Sequence, residues 1–204
     1  MKKFTAFFSA FLILIMLVFT GCSSNSDSVG TAKPAPVKNT VSPTATVSLT
    51  LNDDTMYDES SFSIVIPKTA NLTKNGPSYM WAITSDNYGV VVGIITSTIK
   101  TNVLTYVQSE SSLNAVINQL EVSSNNVAKM DVGYTKLTVG SKSAVKLTGK
   151  YVSSPASKID VYLIDSSEGM LAVTVIKIIK DNDSATITKA QTTADQIFST
   201  LTVK

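Results

Sequence analysis

The sequence predicts an α+β domain, an antiparallel β-sheet of about six to seven strands flanked by helices. Apolar residues alternate with period two in most segments beyond residue 48, and take a helical period in only two, residues 101–122 and 184–201. The order is three strands, a helix, four strands and a helix. No strand–helix–strand alternation occurs, which argues against a parallel doubly wound sheet. Short turn signals, Asp86-Asn87 and Gly140-Ser141, join neighbouring strands as antiparallel pairing requires.

Each element has its own warrant. Tyr57-Asp58-Glu59-Ser60 leads into Phe62, Ile64 and Ile66, an alternating strand that Pro67 stops. Residues 68–77 carry Asn, Gly and Pro and read as a loop. Residues 78–84 form a second strand around Trp81. Residues 88–96 are apolar on both faces, which predicts a central strand covered on each side. Gly89 and Gly93 within it predict close packing or a bulge.

Residues 101–122 change period. Val103, Tyr106, Val107, Leu113, Val116, Ile117 and Leu120 fall on one stripe, with Thr101 or Asn102 as cap. Glu110 lies on that stripe, so a break is expected near residues 109–112. Residues 127–139 and 143–151 flank Gly140-Ser141 as a hairpin. In the second arm Val145, Leu147 and Tyr151 face the core, while Lys146, Thr148 and Lys150 face water. Residues 158–164 and 170–179 make a further hairpin around residues 165–169. Residues 184–201 are helical, with Ile187, Ala190, Ala194, Ile197, Phe198 and Leu201 on one stripe and Asp183 or Ser184 as cap.

Composition limits the chemistry. All 17 basic residues are lysine, and there is neither histidine nor arginine. Without histidine there is no Ser-His-Asp triad, no Cys-His pair and no imidazole zinc ligand. Without arginine there is no planar fork for a phosphate or carboxylate. Removing Lys2 and Lys3 with the leader leaves as many lysines as the 15 acidic residues. A neutral chain with no run of clustered lysines is a poor candidate for nucleic acid or for an anionic lipid surface.

The N-terminus carries its own signal. Met1-Lys2-Lys3 is positive, residues 4–19 are apolar apart from Thr5 and Ser9, and small Thr20 and Gly21 precede Cys22, the only cysteine. The apolar run is shorter than the ~20 residues of a spanning helix. These residues resemble a bacterial lipoprotein signal peptide over residues 1–21, in which Phe19, Thr20 and Gly21 are the signal peptidase recognition residues. Such signals usually carry leucine where Phe19 stands. The resemblance implies that Cys22 becomes the first mature residue and bears a covalent diacylglycerol, with no other cofactor. It implies an extracytoplasmic protein held on the bacterial cell membrane by its lipid. An uncleaved anchor or an ordinary secretory signal are the alternatives. A lone thiol in an exported chain cannot form an internal disulfide, which favours lipid chemistry. Residues 22–47, rich in Ser, Thr and Pro, read as a disordered tether with a reach of roughly 25–30 Å. Residues 48–204 are then one globular domain.

That domain resembles the PsbP-like family. The residues that carry the resemblance are Phe62-Ser63-Ile64-Val65-Ile66-Pro67, Leu104-Thr105-Tyr106-Val107, the run from Ala144 through Tyr151, and the closing Asp195-Gln196-Ile197-Phe198-Ser199-Thr200-Leu201. The match spans residues 57–204. The tryptophan that commonly follows the proline in that family is replaced here by the Ala70-Asn71 region. The resemblance implies an α/β/α sandwich with no shared catalytic residues and an accessory or binding role. The expected partner is a protein or another envelope component, not a nucleic acid. The alternative is a small-ligand carrier, with Tyr79, Trp81, Tyr88, Tyr151 and Tyr162 lining an aromatic pocket between sheet and helix.

Other motifs have simpler explanations. Ser97-Thr98-Ile99-Lys100, Ser85-Asp86-Asn87 and Lys146-Leu147-Thr148-Gly149 approach the three motifs of penicillin-binding proteins, but in the wrong order. A turn, a strand exit and an exposed strand explain them. Asp181-Asn182-Asp183-Ser184 begins like a calcium loop yet has Thr192 where the last ligand belongs, so helix capping is the better reading. Asp53-Asp54 with Asp58-Glu59 is expected to be a solvated acidic loop. No metal site is expected.

Overall fold

The computed structural model describes residues 54–123, 128–152, 154, 156–180 and 183–204. The leader with Phe19, Thr20, Gly21 and Cys22, and the tether, lie outside the described residues. Within them the chain forms β1 (Asp54–Asp58), β2 (Phe62–Pro67), β3 (Asn71–Asn75), β4 (Ser78–Thr84) and β5 (Tyr88–Ser97). Two helices follow, α1 (Val103–Gln108) and α2 (Glu110–Ser123). Then come β6 (Ala128–Met130), β7 (Thr135–Val139), β8 (Lys142–Tyr151), β9 (Lys158–Ser166) and β10 (Gly169–Ile179). The chain closes with α3 (Ser184–Ser199) and β11 (Thr202–Val203).

An eight-stranded sheet runs β3-β4-β5-β10-β9-β8-β6, with β7 also on β8, and a three-stranded sheet runs β1-β2-β11. Every pairing is antiparallel. Helices α1 and α2 pack on one face of the large sheet. The small sheet and α3 pack on the other. The α+β class and the three layers are therefore as the sequence predicts.

The interior strands explain the layering. In β5, Val90, Val92 and Ile94 enter the core under α3, while Val91 and Ile95 enter the core under α1 and α2. In β10, Leu171, Val173 and Val175 alternate in the same way with Met170, Ala172 and Ile176. A strand buried on both sides reads as a continuous apolar run, and the run marks its place within the sheet. The register of β5 with β4 and β10 is unbroken through Gly89 and Gly93, so neither glycine marks a bulge. Gly140 does need its conformational freedom: its φ of 58° closes the two-residue turn between β7 and β8.

Strand number is where the sequence misleads. The expected loop at residues 68–77 contains β3, exposed at every residue, and the expected acidic loop contains β1. Both are edge strands paired by backbone, with no buried alternating face to show in the sequence. The expected strand over residues 127–139 is broken into β6 and β7 by residues 131–134, where Gly133 has φ 114°. The first helix breaks at Ser109, whose backbone is extended, as Glu110 on the apolar stripe implies. Asn102 and Asp183 are the caps, accepting from the Leu104 and Thr186 amides respectively.

Candidate functional site

The polar residues of β8, β9 and β10 converge beneath α3. Asp160 and Lys177 are 6% and 5% exposed, although both carry charge. The Lys177 ammonium donates to Asp160 Oδ2 at 2.6 Å and to Gln191 Oε1 at 2.9 Å. Lys146 Nζ stands 3.1 Å from Asp160 Oδ1. Gln191 in turn donates from Nε2 to Asp195 Oδ1 at 2.7 Å. Taking such charges out of water costs several kcal/mol each, and only close partners offset it. Asp160 has an ammonium on each oxygen, so the cluster is internally compensated.

Register places these groups together. Lys146 lies opposite Tyr162, and Thr148 lies opposite Asp160. The Lys146 ammonium is 5.4 Å from the Tyr162 ring centroid, and that ring stacks on Phe198 at 4.1 Å. Burial pushes the Tyr162 phenol well above its ordinary pKa, and the nearby Asp160 and Asp195 carboxylates push it the same way. A phenol held neutral and an aspartate held between two lysines give neither a general base nor an activated nucleophile. The cluster pins α3 to the sheet.

Toward β6 the same sheet face opens to solvent. Lys129, Lys150, Lys158 and Lys177 are direct cross-strand neighbours on β6, β8, β9 and β10, one row across four strands. The two outer members are neutralised. Lys177 lies on Asp160, and Lys129 Nζ is 2.9 Å from Glu121 Oε2. The Glu121 carboxylate is held below its usual range by that ammonium, helped by the Met130 amide. The two inner members, Lys150 and Lys158, are exposed and have no ion pair among the described residues. The Thr148 hydroxyl beside them donates to Asp131 Oδ2 at 2.7 Å. Sequence reading misses the row because its members lie far apart in the chain, and only the register assembles them.

The five candidate aromatic residues are not brought to one groove. Tyr79 and Trp81 are fully within the core beneath the small sheet, stacked on each other at 5.6 Å, with Tyr57 and Phe62 against them. Tyr88 and Tyr162 border that same core, and Tyr88 shares a hydrogen bond with Thr193 of α3. Tyr151 packs on the opposite face, toward α1 and α2. Its phenol is pushed up to about 12 by burial.

The other motifs resolve into structural roles. Ser85-Asp86-Asn87 and Ser97 sit at opposite ends of β5, and Lys146-Leu147-Thr148-Gly149 is in β8, three strands across the sheet beyond β10 and β9. Ser97 is buried, and its Oγ accepts from the Ile99 amide. Asp183 caps α3, while Asp181 and Asn182 lie outside the described residues. Among the acidic residues, Asp58 pairs with Lys204 at 2.6 Å and Glu59 lies 3.8 Å from Lys74. Among the described residues no group of three or more His, Cys, Asp or Glu side chains could hold a metal ion. No described helix is long and apolar enough to cross a membrane.

No family model and no curated protein matches the sequence. Solved structures do match. The solution structure of cyanobacterial PsbP from Synechocystis sp. aligns with a TM-score of 0.54 at 10% identity, over 80% of this chain and 98% of that one. The Ran-binding protein Mog1p of Saccharomyces cerevisiae aligns with a TM-score of 0.41 at 11% identity, over 74% of this chain and 95% of that one. At such identities the likeness speaks to architecture alone. The chain has a PsbP-like fold: an antiparallel sheet with helices on both faces.

Proposed function

We propose that this chain is a membrane-anchored surface lipoprotein of a bacterium, and that its domain is a non-enzymatic accessory or binding module. Cys22 would carry a diacylglycerol, with Phe19, Thr20 and Gly21 forming the processing site before it. Residues 22–47 would tether the domain on the extracytoplasmic side. The observation that carries the binding role is the division of polar groups on one sheet face. Beneath α3 the charges compensate one another, while on β8 and β9 two lysines stand exposed without an ion pair among the described residues. A charged face left open on a rigid sheet suits contact with a partner, and nothing near it has the arrangement of a reacting centre.

Two experiments test this reading. Cys22→Ser should leave the chain unprocessed or release it into the medium, as seen by its mobility and by fractionation. A variant with unchanged size and membrane retention would refute the anchor. Crosslinking on intact cells followed by mass spectrometry should recover a reproducible envelope partner. Recovery of none would refute the binding role.

The small-ligand carrier has less support. Tyr79 and Trp81 are tightly packed with Tyr57 and Phe62, and the sheet stands between Tyr151 and the other four rings.

A further inference from the structure

The lysine row has a geometry that points to a class of partner. Tyr151 donates its amide to the Ser157 carbonyl, which makes the adjoining pair, Lys150 and Lys158, a non-hydrogen-bonded pair of the antiparallel ladder. In such a pair the Cα atoms are about 4.5 Å apart and the side chains stand closer than elsewhere in a sheet. Two like charges directly opposite destabilise a sheet, and here no carboxylate intervenes among the described residues. Lys129 lies next to Lys150 across the ladder on β6, whereas Lys146 lies four residues before Lys150 on β8, where its ammonium is on Asp160. The acidic groups nearby are already engaged: Glu121 by Lys129, Asp160 by Lys146 and Lys177, and Asp131 by Thr148.

The repulsion between Lys150 and Lys158 is relieved by an anion placed between them. We infer that the face formed by Lys129, Lys150 and Lys158 docks a linear polyanion of successive phosphate groups. The inference rests on the reading of the chain as a binding protein and supplies the chemistry of its partner. Lysine binds phosphate as a point charge and does so without the bidentate fork of arginine, which serves carboxylate and phosphate alike. Strands ~4.8 Å apart set Lys129, whose ammonium is shared with Glu121, and the unpaired Lys150 and Lys158 along a line of roughly 10 Å, enough to track a chain of successive phosphates. The row is flanked by Thr148 and Asp131 and carries no exposed aromatic residue. It thus offers neither the aromatic anchor of a protein hot spot nor a stacking platform for nucleobases.

The test uses the full chain in detergent, with labelled inorganic polyphosphate as the probe and polyglutamate of equal charge as comparator. Fluorescence anisotropy should show polyphosphate binding that weakens steeply with added salt. Lys150→Gln with Lys158→Gln should weaken it at least tenfold. Lys189→Gln, on the exposed side of α3, should leave it unchanged. The melting temperature of the double variant at low salt should rise, because a like-charge pair is removed. Unchanged affinity in the double variant would overturn the inference. Polyglutamate bound as tightly as polyphosphate would overturn it in favour of an acidic peptide. A fall in the melting temperature would overturn its premise. Each of these outcomes is independent of the crosslinking result, which alone decides whether a cellular partner exists.

Discussion

Asp160 shows how much one side chain can determine. Its carboxylate is 8% exposed and sits within 3.1 Å of two ammonium groups, one of them itself only 7% exposed. Asp160→Asn would leave Lys177 buried against neutral partners, and removing one member of a buried pair costs about 3–5 kcal/mol. Chemical denaturation should show a loss of that size. The double change Asp160→Leu with Lys177→Met should recover most of it, since apolar residues of similar volume replace buried pairs at little cost. A double variant no more stable than Asp160→Asn would contradict this account. The sequence concealed the pair. Lys177 follows a long apolar run, and Asp160 lies between Ile159 and Val161, so each alone reads as an exposed position. Only the register, together with Gln191 from α3, shows that they meet.

At the scale of elements, legibility followed burial. Strands β2, β4, β5, β8, β9 and β10 and all three helices have a repeating apolar face, and each is evident in the sequence. Edge strands β1 and β3 have no such face, and β6 and β7 read as one strand because apolar residues continue across the break. Gly149 holds this edge together. A Cβ there would lie 2.7 Å from the Lys129 carbonyl oxygen, 2.6 Å from Met130 Sδ and 2.9 Å from Ile159 Cγ2. The carbonyl is backbone and cannot swing aside, so Gly149→Ala should force β6 off β8 at a cost of about 1–3 kcal/mol. Amide exchange at Lys129 and Asp131, the β6-side amides that face β8, should quicken while β9 and β10 keep their protection. Unchanged exchange at those two amides would refute the close contact. The candidate site was illegible for a related reason: a cross-strand row is a property of the register, and the register cannot be read from one strand at a time.

At the scale of the whole molecule, the absence of histidine removes the side chain that ordinarily titrates near neutrality. Stability should therefore change little between about pH 6 and 9. Alkali is different. An unfolded tyrosine ionises near pH ~10, whereas burial pushes Tyr151 up to about 12 and Tyr162 higher still. Between the unfolded and folded values the native state retains protons that the unfolded state releases. Stability is thus complete below pH ~10 and falls as pH rises through the folded values, at no more than about 1.4 kcal/mol per unit for each phenol. Tyr151→Phe and Tyr162→Phe should both flatten the decline in melting temperature above pH 10. An identical decline in both variants would exclude these phenols as its cause.

The small sheet has a mechanical consequence. β1 begins the described chain, pairs with β2 alone, and is held at its far end by the Lys204 ammonium on Asp58. Any tension arriving along the N-terminal segment enters at Asp54 and is borne by one five-residue ladder before it reaches the large sheet. Force applied at a strand end peels hydrogen bonds in succession and does not shear them together. β1 would then yield first, as a mechanical fuse, while the two cores and the lysine-bearing face remain folded.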